Sequence, residues 1–151
     1  MPGATDTDPA SRSEDRGWRF LLLALLLLRL ALIPGVPWEQ DEALFGAAAF
    51  DTDVTASRPH PPGFPLWTLL GRGGMLLLGD PVLALDLLSA LASVAAVALL
   101  ARLWGPVLGS VTLGRAAALV YGCLPGVLFH APRAFTTGPA LTLALAAAGV
   151  W

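Results

Sequence analysis

Apolar and polar positions run along this chain in long blocks, and each block predicts an element. Residues 1–17 are polar, with Pro, Gly, Ser and Asp throughout, and predict a disordered tail because they offer no apolar surface to bury. Trp18 then opens the run WRFLLLALLLLRLALIPGV. About twenty apolar residues cross about 30 Å of hydrocarbon, so residues 18–37 are expected as a first transmembrane helix. Trp18 and Arg19 suit its interfacial end. Arg29 falls inside the run, where a charge is costly unless it snorkels or pairs. A secretory signal peptide is the rival reading, but the run is long and PGVPWEQ lacks a small-x-small cleavage pattern.

Residues 38–80 form the most polar internal block. They are expected as an external loop with juxtamembrane helices. One helix is predicted over 42–50, with Asp41 as its N-cap. Pro59, Pro61 and Pro62 stiffen the loop that follows. Residues 64–79 are apolar but short, interrupted by Arg72 and three glycines, which suits a helix lying along the membrane surface. Asp80-Pro81 is a helix start, with Asp as cap and Pro in the first turn. The second transmembrane helix is predicted over 81–104, broken by Gly105-Pro106. A turn over 105–112 and a third helix over 113–130, kinked at Pro125, come next. An external turn over 131–137 leads to a further helix from residue 138. About thirteen residues then remain, roughly 20 Å at 1.5 Å per residue. The sequence is therefore expected to be the first part of a longer protein or the product of a truncated gene.

The fold class predicted is all-α, a polytopic bundle of transmembrane helices. Composition agrees: of 151 residues, 56% are hydrophobic and 13% charged, against about 45–50% and about 25% in soluble domains. All nine basic residues are arginine, and no acid occurs after Asp86. No basic stripe exists, which argues against a nucleic-acid partner. Arg12, Arg16 and Arg19 share a side with Arg102 and Arg115 if residues 64–79 do not cross. That satisfies the positive-inside rule and places the N-terminus in the cytoplasm of a multi-pass protein of the inner or plasma membrane. Cys123, the lone cysteine, lies in an apolar stretch without the electropositive setting a reactive thiol needs.

The candidate chemistry lies on the external side. Asp41-Glu42 at a helix start supplies carboxylates that can take a proton, although both types are also favoured there as caps and first-turn acids. Asp51-Thr52-Asp53 offers hard oxygens for a divalent cation, on which Glu39, Asp41 and His60 could also converge; in a polar loop these two acids can equally be solvated. No metal site is assigned and no cofactor is identified. Arg58 and Arg133 can clamp a phosphate bidentately. His60 precedes two prolines and can hydrogen-bond an acceptor or the acidic pair. Gly71-Arg72-Gly73-Gly74 lacks the strand and lysine of a phosphate loop.

The order of these features resembles the N-terminal part of the GT-C superfamily of membrane glycosyltransferases. The features are an anchor helix, Asp41-Glu42, His60-Pro61-Pro62, a capped helix from Asp80-Pro81, and the turn Arg133-Ala-Phe-Thr-Thr-Gly-Pro. Within that superfamily the chain looks like the protein O-mannosyltransferases and the lipid A aminoarabinose transferases, over residues 18–151. The resemblance implies transfer of a sugar from a polyprenyl-phosphate donor to a lipid, glycan or protein acceptor on the external face, among membrane lipids, with inversion at the anomeric carbon. It implies Asp41 as general base and Glu42 as a second acid. It implies phosphate or acceptor contacts for Arg58, His60 and Arg133. Members of the superfamily carry many more transmembrane helices. The alternatives are a small non-enzymatic helical membrane protein or accessory subunit, or an inactive transferase fragment.

Overall fold

The computed structural model describes residues 9–59, 61 and 63–149. Among these the chain is all helical: seven α-helices and one 3-10 turn, without a β-strand. The helices are α1 (Pro9–Ala31), α2 (Gln40–Phe50), α3 (Pro65–Leu78), α4 (Pro81–Val107), α5 (Val111–Gly122), α6 (Pro125–His130) and α7 (Thr137–Ala148).

α4 is the axis, in contact with α1, α2, α3, α5 and α7. Its start follows local rules: the Asp80 carboxylate accepts from the Val82 and Leu83 N–H groups, and Pro81 occupies the first turn. At 27 residues it spans about 40 Å. Among the described residues it is the one helix long and apolar enough to cross a membrane. Contrary to expectation, it runs through Gly105-Pro106. Pro106 sits in the last turn, where the missing N–H removes only one helical bond. Gly105 and Gly114 let α4 and α5 meet backbone to backbone: a Cβ on Gly114 would stand 2.5 Å from the Gly105 nitrogen.

Other boundaries also move. α1 begins at Pro9, within the expected tail, while residues 1–8 lie outside the described part. It ends at Ala31, ahead of Pro34-Gly35 and Pro37, so its apolar part from Trp18 covers about 21 Å and not the whole of 18–37. The helix expected over 113–130 is two helices. Leu124 is extended, as a residue before proline prefers, and Pro125 opens α6 where a kink was predicted.

Two cores result. Leu25 of α1 packs with Val97, Leu100 and Ala101 of α4 and Ala118 of α5. Phe45 of α2, Trp67 of α3, Leu85 of α4 and Ala134 form the other. Polar groups are buried as well: Arg29, Glu42, Asp86, Ser89, Ser93 and Arg133 all point inward. Leucines point out, with Leu76 and Leu77 of α3 84% and 86% exposed. Arg29 donates from Nη1 to the Ser93 hydroxyl (2.7 Å) and from Nη2 to the Gly122 carbonyl (3.2 Å). The charge inside the first apolar run is thus held by α4 and α5 and does not snorkel.

Candidate functional site

The first turn of α2 is built by its own acids. Glu39, not Asp41, is the N-cap, and Asp41 and Glu42 occupy the first turn, where negative charge complements the helix dipole. Glu42 Oε2 accepts from the backbone N–H groups of Trp38 and Glu39 (3.2 Å to Glu39). These bonds turn the Glu42 side chain back over the helix start and bury it completely. Asp41, about 100° round the helix, is half-buried.

The second half of the site comes from residues 131–136, between α6 and α7. Expected as an external turn, this segment is packed into the protein: Ala131, Pro132, Arg133 and Ala134 are all buried. The indole Nε1 of Trp67 donates to the Ala134 carbonyl (3.1 Å), and the Ser89 hydroxyl donates to the Phe135 carbonyl (3.1 Å). α3 and α4 therefore set where Arg133 stands.

Arg133 Nη1 lies 3.6 Å from Glu42 Oε1, an ion pair across 91 residues of sequence with both side chains buried. Arg133 Nε donates to the Phe129 carbonyl (2.8 Å). Its guanidinium carbon is 4.0 Å from the Phe129 ring centroid and 5.0 Å from that of Trp38. Two aromatic faces so close shield the cation and add cation–π attraction. Trp38 and Phe129 also meet edge to face at 5.4 Å. Beside them His130 Nδ1 stands 3.9 Å from Glu39 Oε1, at the surface.

The structure therefore brings together two of the candidates, Glu42 and Arg133, with Asp41 adjacent. Arg133, expected as a phosphate contact, stands at 5% exposure with its guanidinium facing a carboxylate, a carbonyl and two rings.

Arg58 belongs elsewhere. Its Nη2 lies 3.0 Å from Asp51 and 3.6 Å from Asp53, across a backbone bridge between Asp53 and Arg58. The Asp-x-Asp considered for a cation is thus bracketed by an arginine. Asp53 also caps the 3-10 turn Val54–Ala56, accepting from the Thr55 hydroxyl (2.6 Å) and from backbone N–H groups of Thr55 and Ala56. The Thr55 hydroxyl bond, then the other bonds and Arg58, hold its carboxyl below the usual aspartate range. A phosphate on Arg58 would have to displace two carboxylates. His60 lies outside the described residues. Arg72, expected at the lipid interface, instead donates to the Ala49 carbonyl (3.1 Å) and the Thr52 hydroxyl (2.9 Å), closing the C-terminal end of α2. Among the described residues, no group of three or more His, Cys, Asp or Glu side chains is arranged to hold a metal.

Sequence reasoning missed Asp86. It is 1% exposed in the second turn of α4, within electrostatic reach of both Glu42 and Arg133, and although the Ala134 N–H is directed at it, neither carboxylate oxygen completes a hydrogen bond of good geometry. The signal was available: Asp86, Ser89 and Ser93 recur at the 3–4-residue spacing of one helix face. A largely apolar cavity of about 410 Å³ lies further along that face, lined by Ser93, Ala96, Tyr121, Val127, His130 and Leu141 among others.

No protein-family model, curated protein or solved structure matches this chain.

Proposed function

We propose that this chain supplies the acidic external loop and the first helices of a multi-pass membrane glycosyltransferase of the GT-C type, acting on a polyprenyl-phosphate sugar. One observation carries the reading: the helix start with Asp41-Glu42 and the Arg133 turn, far apart in sequence, are joined by a buried ion pair. Around that pair the distribution of side chains suits hydrocarbon surroundings, with charged and hydroxyl groups turned inward and leucines outward. At the other end, Arg115 pairs with Asp15 and stands 5.6 Å from the Trp18 ring centroid. Arginine-bearing segments thus gather away from the acidic loop, which supports a cytoplasmic N-terminus.

In this reading Asp41 is the general base. It takes the proton of the acceptor hydroxyl as that oxygen bonds to the anomeric carbon, and the lipid phosphate leaves with the electron pair of the broken bond. Glu42 and Arg133 hold Asp41 in place and do not touch substrate. The cavity of about 410 Å³ offers apolar walls for a lipid chain.

The test is sugar transfer from a polyprenyl-phosphate donor by membranes carrying the protein. Asp41→Asn is expected to lower transfer at least about 100-fold, the lower range for loss of a general base. Undiminished transfer by that variant rules out Asp41 as base, and no transfer by the unaltered protein leaves the non-enzymatic and inactive-fragment alternatives in its place. Topology is read by cysteine labelling at Ser57 and Ser110, expected from opposite sides of the membrane; labelling of both from one side contradicts it.

A further inference from the structure

The buried group Glu42, Asp86 and Arg133 holds one carboxylate more than it holds cations. The other buried arginine, Arg29, is bound at Ser93, about 10 Å further along α4. Unpaired buried charge is costly, so either a proton or a bound cation must compensate it. Asp86 lines a small cavity of about 170 Å³ between residues 34–37 and the start of α4. Asp80 lines it too.

This lining is poor in donors. Pro34 and Pro37 have no N–H, and the Val82 and Leu83 N–H groups already go to Asp80. It contains no basic side chain. Beside the Gly35 and Val36 N–H groups, carboxylates and peptide carbonyls are what remain, the oxygen ligands that hard cations take. The cavity has room for a cation and about four waters, at about 30 Å³ each.

We propose that this cavity binds one monovalent metal cation, with Asp86 as its principal ligand and Asp80 as a second. One charge balances the buried group. A divalent ion takes six to eight oxygens, usually with several carboxylates, and no three-acid cluster stands here. The site is independent of sugar transfer and is tested without it.

The whole protein, purified in detergent, is melted in sodium, potassium or choline chloride at equal ionic strength over several pH values. Choline's nitrogen is covered by methyl groups and cannot be ligated by carboxylate oxygens. The melting temperature is expected to rise with sodium or potassium over choline, by about 3–5 °C at tenfold excess over Kd. Asp86→Asn abolishes that response. Asp80→Asn keeps a capping oxygen, so the protein folds while the apparent affinity falls several-fold. Identical melting in sodium, potassium and choline at every pH overturns the proposal, since a proton alone then neutralises Asp86. A full response retained in Asp86→Asn overturns it as well, as does a response to calcium without one to sodium or potassium.

Discussion

Arg133 and Arg58 each face acids in the loop-bearing half of the molecule, and they do so at opposite degrees of burial. Arg133 meets Glu42 with both side chains almost wholly inaccessible, roofed by Trp38 and Phe129. Arg58 bridges Asp51 and Asp53 with its side chain 39% exposed. The two clusters have similar chemistry and different physics. In water an ion pair mostly exchanges one set of favourable contacts for another. In the interior, the partner left behind after a deletion has no water to turn to. The buried pair joins α2 to the 131–136 turn, so its loss moves whole segments. The exposed cluster shapes one turn of one loop.

The largest effect is expected from Arg133→Met, which strands Glu42. Denaturant unfolding is expected to show a loss of about 3–5 kcal/mol, the usual cost of breaking a buried pair. A loss below about 1 kcal/mol would erase the distinction between the two arginines. A smaller effect sharpens it: adding Glu42→Leu to Arg133→Met should restore part of that stability, since the stranded charge is gone. A double-mutant cycle over the pair is expected to give a coupling of about 1–3 kcal/mol, and additivity within about 0.5 kcal/mol would mean that the two residues do not act together.

Arg58→Ala is expected to cost about 0.2–1 kcal/mol, and less in high salt, because its partners are solvated. A salt-independent cost would place the cluster in a drier setting than its exposure indicates. The smallest effect concerns acid. Asp53 is held below its ordinary pKa in the folded state, so its contribution is present above the unfolded value and is lost as pH falls through the folded one. Asp53→Ala should therefore lower stability slightly at neutral pH and leave it unchanged below the folded-state pKa, flattening the acid side of the profile. An equal loss at all pH values would mean that its capping bonds matter and its charge does not.

Much of the fold was readable in advance because its signals are local. Asp80-Pro81 announces α4, and the Thr-Thr-Gly-Pro of residues 136–139 announces α7. Where reading failed, a proline was weighed without its position in the helix. Pro106 is harmless in a last turn, while Pro125 forces Leu124 extended and divides a helix. In the site, Asp41-Glu42 stood out as acids in an apolar chain, but the partner of Glu42 did not. Arg133 passed for a surface cation because the segment around it is short and rich in turn formers.

The sequence by itself determined the helical class, the starts of α4 and α7, and the concentration of acids ahead of Asp86, since each depends on residues within a turn or two of one another. Only the tertiary structure decided which charges are buried and what they meet. Glu42 with Arg133 lies across 91 residues, Arg29 with Ser93 across 64, and Asp86 faces a cavity closed by residues 34–37. The physical reason is that burial belongs to packed surfaces. A carboxylate has the same local preferences on an open helix as on a closed one, and only the elements packed against it determine whether it meets water, an arginine or a cation.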